Sequence, residues 1–481
     1  MKSMNKIFKK SFAILTVLLY CLSSEAYDFS SNYNGVTIYY TANSTAKTAS
    51  VTYKDENYNS YTASNITIPK TVSNGGTTYT VTSIDRAAFY KCSNVASVTL
   101  PNSITSIGYN AFGTCSSLTG ITLPSSVTSI GGWAFGDCPK LSSITIPSSV
   151  TSIGANAFMF CTGLTSISLP SGLKSIEKLT FYGCMNLTSI KIPEGVTSIG
   201  SEAFTNCTKL ANVSFPSTLK TIESQAFMDC SNLGSISLPN GVTSIDSKAF
   251  AGCKKATSVN IPSSLTTLTD GVFMNCTSLT SINIPNTITS LGKNAFYGCS
   301  SLQSIVIPSS ITKIEDSAFY KCSSLSEVTL PSSITSIGNY AFHSCAITSF
   351  TIPQNVTSVG SYSFYNCEQL SEIVTYATTP PSLGANAFEG VSEDCKLLIS
   401  GGTASAYAQA GWTSEVFKGG ITQEDLLGDL NGDNDVNVSD ITSLVQIVLS
   451  GGQNKAADID GNGKVDVSDV TALVQIILGA N

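Results

Sequence analysis

Phenylalanine returns at one fixed spacing, from Phe89 through Phe112, Phe135 and Phe158 to Phe342, and then at Phe364 and Phe388 after steps of 22 and 24. Proline keeps the same interval from Pro101 to Pro331 and on to Pro353, and cysteine trails phenylalanine by three positions from Cys92 to Cys345 and then Cys367. A fixed period of this length marks a chain built from one supersecondary unit stacked on copies of itself. No copy can bury its apolar face alone, so the array must fold as a solenoid in which each coil leans on its neighbours.

Within one unit, Leu164-Thr-Ser-Ile-Ser-Leu-Pro170 places apolar residues two apart and then stops at proline. That alternation is a short strand, and proline, which lacks a ladder N–H, ends it. One strand per coil in register gives a parallel sheet and a β-rich solenoid of some fourteen coils. The outward strand positions form two columns, one running Thr99, Thr122, Thr145, Ser168 and Lys191 onward, the other Ser97, Gly120, Ser143, Ser166 and Ser189 onward. This face is rich in hydroxyls and poor in the aromatic platforms on which sugars stack, which favours contact with protein over glycan. A solvated ladder with no ligand is the plainer alternative.

The motif Leu118-Thr-Gly-Ile-Thr-Leu-Pro-Ser-Ser-Val-Thr-Ser-Ile130-Gly-Gly-Trp-Ala-Phe135-Gly-Asp-Cys138 resembles the BspA-like leucine-rich repeats of bacterial surface proteins, and the resemblance runs from residue 66 to 400. It implies a curved leucine-rich-repeat solenoid and, for some members, adhesion to proteins of host or neighbouring cells. Residues 27–65, around Val36-Thr-Ile-Tyr-Tyr40 and Ala49-Ser-Val-Thr-Tyr53, read as an N-terminal β-cap, and the first repeat carries nine extra residues between Pro69 and Phe89. Residues 401–424, with Tyr407, Trp412 and Phe417, read as a C-terminal cap and linker.

Fifteen cysteines invite a disulfide framework, yet thirteen occupy one equivalent repeat position. Identical side chains in stacked coils point the same way at strand spacing, whereas a disulfide needs Cβ atoms about 3.8 Å apart and facing each other. The reading is a ladder of buried thiols acting as small apolar residues, with Cys395 outside it. His343 is the single histidine and follows a repeat phenylalanine, in a column that elsewhere holds Tyr90, Gly113, Met159, Tyr182, Thr205 and Tyr297. So variable a column is a surface site, and a Ser-His-Asp or Cys-His arrangement or a histidine-rich zinc site has nothing else to draw on. Acids in the repeats are scattered, so no carboxylate pair suggests a hydrolase. The chain reads as non-enzymatic.

Charge is low and local. Only 12% of residues are charged, and from Glu424 onward ten acids face Lys455 and Lys464, leaving the long middle almost neutral. It offers no basic footprint for nucleic acid. Residues 1–26 read as an export signal, with Lys2, Lys6, Lys9 and Lys10 ahead of the apolar run Phe12 to Leu22 and small residues near Ala26. That run is too short to span roughly 30 Å of hydrocarbon. The expected location is therefore secreted, extracellular or cell-surface associated.

Two tandem copies of one segment occupy the tail: Asp429 to Asp440 followed by Ile441 to Leu449, and Asp458 to Asp469 followed by Val470 to Leu478. Oxygen-bearing side chains recur at loop positions 1, 3, 5, 9 and 12, with position 7 offering its carbonyl, which is the donor set that a calcium ion requires. The expected ligands are Asp429, Asn431, Asp433, Asp435, Asn437 and Asp440 for one Ca²⁺, and Asp458, Asp460, Asn462, Lys464, Asp466 and Asp469 for a second. Position 12 is Asp in both loops, and position 6 is Asn434 in the first and Gly463 in the second. Asn tolerates the left-handed turn required there.

The short final carboxylate, the absent entry helix and the tandem spacing make residues 425–481 resemble a type I dockerin, a small helical module that docks onto cohesin domains. The resemblance implies partner contacts at Val438, Ser439, Val445 and Gln446 in the first copy and at Val467, Ser468, Val474 and Gln475 in the second. The chain thus reads as a non-catalytic, adhesin-like binding protein whose repeats meet an unknown extracellular or host protein and whose tail docks to a cohesin-bearing partner. Two alternatives stay open: an accessory component of a polysaccharide-degrading complex, or a calcium module that only caps the solenoid.

Overall fold

A computed structural model of the chain describes residues 26–424, 428–431, 436–452, 455–460 and 462–478. The expected export signal lies, but for its last residue, outside them. The described residues fall into two compact units, one ending at Leu173 and one beginning at Lys174. The repeats in both form a β-solenoid of about 15 turns.

The coil from Leu118 to Cys138 gives the logic. Gly120–Thr122 is a strand with Ile121 inward and Thr122 exposed, and it pairs in parallel with Ser143–Thr145 one repeat later. The expected strand does not form in every coil, residues 164–170 and 279–285 having none, and the structure adds another to each coil after the proline turn: Ser129–Ile130 pairs on both sides, with Ser106–Ile107 and Ser152–Ile153. Between strands, Pro124 opens a tight turn closed by Val127 N–H on its carbonyl at 3.0 Å. After Ile130 the backbone turns two corners in the left-handed region, at Trp133 and Asp137. There the ladder runs forward, Phe112 N–H to Ala134 O at 2.7 Å and Phe135 N–H to Ala157 O at 2.8 Å.

Hydroxyls stitch coil to coil. Ser103, Ser126 and Ser149 donate to the carbonyls of Val81, Ile104 and Val127 in the preceding coil, and Thr105 and Thr128 donate to Thr82 and Thr105. This gives the Ser- and Thr-rich polar fraction a role: the serine hydroxyls reach carbonyls of the preceding coil from the proline turn, and each threonine hydroxyl is a second donor to a carbonyl that already accepts the same residue's N–H.

The core is a stack of rings. In the first unit Tyr61, Phe89, Phe112, Phe135 and Phe158 follow at 4.6 to 5.5 Å, and in the second Phe181 to Phe388 follow at 5.0 to 6.1 Å. The fourteen cysteines among the described residues are all buried and none is in a disulfide. Most ladder thiols donate to the phenylalanine carbonyl of the preceding coil, as Cys115 does to Phe89 at 3.0 Å and Cys138 to Phe112 at 3.1 Å. Burial pushes the thiols of Cys138, Cys276 and Cys322 up to about 12. Cys395, unplaced by the repeat, is also buried, and burial pushes its thiol up to about 12.

The first unit begins with antiparallel strands Phe29–Tyr33, Val36–Asn43 and Thr48–Thr52. The nine extra residues of the first repeat are taken up in a hairpin, Thr71–Asn74 against Thr77–Ile84, whose turn residues Gly75 and Gly76 both have positive φ and whose end, Ser83-Ile84, is the regular repeat strand. In the second unit, helix α1 (Ala404–Gln409) and the chain after it bring Tyr407, Trp412 and Phe417, all fully buried, over Phe388, the last repeat ring. Trp412 Nε1 donates to Pro381 O at 3.0 Å and Tyr407 Oη to Ala377 O at 2.9 Å. Strand Gly420–Glu424 then pairs with Lys396–Ser400. Among the described residues no helix is long and apolar enough to cross a membrane.

Candidate metal centre

The tail holds helices α2 (Val438–Ser450) and α3 (Val467–Ile477), each with an amphipathic stripe. Leu444 and Leu473, at equivalent positions of the two copies, pack with Ala457 and Ile459 in one small core bordered by Leu430, Val436, Ile441 and Val470. Each helix begins the same way. Asn437 accepts from Ser439 N at 2.8 Å, Asp466 accepts from Ser468 N at 2.8 Å, and Asp440 and Asp469 complete capping boxes.

Asp440 and Asp469, at loop position 12, are fully buried. Asp469 Oδ1 accepts from Ile459 N at 2.8 Å and Asp460 N at 3.2 Å, while Oδ2 accepts from Asp466 N at 2.7 Å. Asp440 repeats this with Leu430 N at 2.8 Å, Asn431 N at 3.2 Å and Asn437 N at 3.0 Å. One carboxylate thus ties the start and the end of each loop to the helix that follows.

In the second loop, carboxylate oxygens of Asp458, Asp460 and Asp469 lie within 4.8 Å of one another. Asp458 Oδ2 accepts from Gly463 N at 2.9 Å, but its Oδ1 is buried with no hydrogen-bond partner among the described residues. A buried carboxylate oxygen left unpaired is costly unless a cation meets it, so these residues fit a hard divalent ion. The Ser468 hydroxyl, 2.6 Å from Asp460 Oδ2, holds the Asp460 carboxyl below its usual range, and the Ser468 N–H does the same for Asp466. Gly463 takes φ +83°, the left-handed turn needed at position 6.

The remaining candidate ligands sit at the margin. Asn462 accepts from Lys464 N and donates to Asp460 at 2.8 Å, and Asp466 serves as N-cap outside the trio. Position 9 of such loops often acts through water. In the first loop Asp429 is buried and the Asn431 amide donates to Ser439 Oγ at 2.6 Å, whereas Asp433 and Asp435, with Asn434, lie outside the described residues.

Of the candidate partner residues, Val438 and Val467 are 68% and 69% exposed, Ser439, Val445, Gln446, Ser468 and Gln475 are exposed, and Val474 is half-buried. The structure adds Leu449 and Leu478, 81% and 75% exposed and again equivalent in the two copies, with Ile476 beside them. They were legible as apolar residues that fall off the buried stripe in both copies.

The family description for the BspA type leucine rich repeat region matches residues 82–211, 174–303 and 289–399, and that for the dockerin type I domain matches residues 427–478. Among solved structures, a leucine-rich repeat protein from Bacteroides ovatus is 30% identical over 83% of this chain and 100% of its own, with a TM-score of 0.61. A leucine rich cell surface protein from Faecalibacterium prausnitzii is 31% identical over 63% of this chain and 94% of its own, with a TM-score of 0.40. Comparison with curated proteins gives no match. Dockerin domains generally bind calcium and imply a cohesin-type partner, and neither family is catalytic in general. With its repeats and the docking module together supporting a role in protein interaction, the chain belongs to the BspA-type leucine-rich-repeat family and carries a C-terminal type I dockerin domain.

Proposed function

We propose that this is an extracellular, adhesin-like binding protein whose tail takes up two calcium ions and docks to a cohesin-bearing scaffold or surface partner, while the solenoid displays a surface to a second protein. The reading rests on the orphaned Asp458 Oδ1 inside a three-carboxylate cluster. Bound Ca²⁺ would supply the positive charge that Asp458, Asp460 and Asp469 lack, with the Asn462 amide and the Lys464 carbonyl as further oxygens and Asp429, Asn431, Asp433, Asp435, Asn437 and Asp440 as the matching set. With the loops fixed, the helices present Val438, Val445, Leu449, Val467, Ile476 and Leu478, an exposed apolar set that folding alone does not require. Tyr407, Trp412 and Phe417 already cover the last repeat ring, which speaks against a module whose only task is capping.

Titration calorimetry of the full chain with Ca²⁺, followed by capture on an immobilised cohesin with calcium or chelator, tests the reading. Two ions bound and calcium-dependent capture are expected. Absence of any heat on calcium addition would remove the basis of the proposal.

A further inference from the structure

The repeats act as internal controls, because what the fold needs recurs and what it does not need varies. The position after each repeat phenylalanine holds Gly113, Gly136, Met159, Thr205, Met228, Ala251 and Met274, among others, so the coil asks for no aromatic there. Over four successive coils it holds Tyr297, Tyr320, His343 and Tyr365, with ring centroids 4.7, 4.5 and 5.0 Å apart. Beside them the first left-handed corner, elsewhere filled by Asn110, Trp133, Asn156, Leu179, Glu202 or Lys248 among others, holds Tyr340 and Tyr362 with φ +58° and +56° and rings parallel at 5.0 Å. A bulky side chain at that backbone conformation is unfavourable. Coil after coil keeps this corner whatever residue fills it, so Tyr340 and Tyr362 are set apart by their stacked rings and not by their backbone.

The arrangement also selects a ligand. Stacked rings cover each other's faces, so sugar rings have little face to lie on, and what remains to solvent is ring edges and hydroxyls. Edges are the electropositive rim of an aromatic ring. Unlike Tyr61, Tyr182 and Tyr407, whose hydroxyls are hydrogen-bonded, Tyr297, Tyr320, Tyr340, Tyr362 and Tyr365 have no hydroxyl partner among the described residues. Lys321 lies over the Tyr320 ring at 5.4 Å with no carboxylate bound among the described residues, whereas Lys293 nearby is paired with Asp316 at 2.9 Å. Glu389, whose carbonyl accepts the Asn366 N–H, ends the row.

We infer that the ridge formed by Tyr297, Tyr320, Tyr340, His343, Tyr362 and Tyr365, with Lys321, is a binding site for an acidic, extended segment of a partner protein. Rigid tyrosines give contact area at low entropic cost, and a segment rich in carboxylates and carbonyls accepts from the hydroxyls and meets the edges and the ammonium. The inference rests on the reading of the solenoid as a display surface and is independent of the calcium-dependent tail.

His343, the only histidine, is a built-in reporter. Its imidazole signal is followed by NMR in the full chain, in chelator, during titration with blocked hexaglutamate, hexalysine or cellohexaose. A saturable shift with hexaglutamate alone is expected, weakened at least tenfold in the Tyr340→Asn/Tyr362→Asn double variant and several-fold in Lys321→Gln. Since Asn suits the left-handed corner, the double variant should melt at the same temperature as the parent or higher. No saturable shift with hexaglutamate, a shift with cellohexaose instead, or a double variant that melts lower yet binds equally would each overturn the inference. Failure of calcium binding by the tail would leave these results unchanged, so the two readings fail separately.

Discussion

The thiol of Cys322 donates to the carbonyl of Phe296, 3.2 Å away and one coil earlier, and that same carbonyl accepts the backbone N–H of Cys299 at 3.1 Å. The cysteine is therefore both a core filler and a second donor to a two-lone-pair oxygen. Cys322→Ala removes the donor and leaves a void, and should cost about 1–2 kcal/mol. Cys322→Ser keeps a donor and should recover part of that. Hydrogen exchange at the flanking coils measures both, and an alanine variant as protected as the parent would contradict this role.

Burial raises the thiols of Cys138, Cys276 and Cys322 from 9.0 to about 12. In the unfolded chain they ionise near 9 while in the native chain they stay protonated, so their contribution to stability is whole below pH 9 and falls as pH rises toward 12. The slope is roughly 1.4 kcal/mol per pH unit for each thiol. Guanidinium midpoints between pH 7 and 11 should drop accordingly, less steeply in Cys276→Ala. A midpoint indifferent to alkali would refute the buried ladder.

A Cβ on Gly292 would stand 2.4 Å from the backbone of Thr269 and Asp270, whereas one on Gly120 would meet nothing closer than 3.5 Å. Gly292→Ala should destabilise the second unit by about 1–3 kcal/mol through overpacking. Gly120→Ala should be neutral or slightly stabilising. Thermal melts of the two variants give the comparison, and equal melting would show that the coils are not packed backbone to backbone at Gly292.

Asp458 and Asp469 should fail differently. Asp458→Asn keeps the fold of the tail and removes one ion, which calorimetry reads as a stoichiometry falling from two to one. Asp469→Ala strips an acceptor from three backbone N–H groups and should loosen the tail by about 2–5 kcal/mol even in chelator. Amide exchange in α3 reports this, and identical behaviour of the two variants would argue against the clamp.

The period made the solenoid legible, because Phe, Pro and Cys cannot recur together at one spacing without a coil that requires them. The second strand of each coil was hidden: Ser129–Ile130 is a mere dipeptide that gains its identity from neighbours, not from alternation. Left-handed corners at Trp133 and Asp137 were equally invisible, since most coils fill them with whatever the surface tolerates. At the tail, the carboxylates of Asp458, Asp460 and Asp469 followed from spacing, but the clamp at Asp469 did not. A ligand pattern records which oxygens face an ion and says nothing of the backbone N–H groups behind them.

Through the central repeats neighbouring coils meet at one offset, Ser129 opposite Ser152, Thr221 opposite Ser244 and Ser304 opposite Glu327. Excising or duplicating one whole repeat therefore joins surfaces that already match, and the steps of 22 and 24 fall only near the C-terminal end. Recombination between repeats in the gene can change copy number without disturbing either terminus, so related lineages should differ in whole coils and share the same first and last ones.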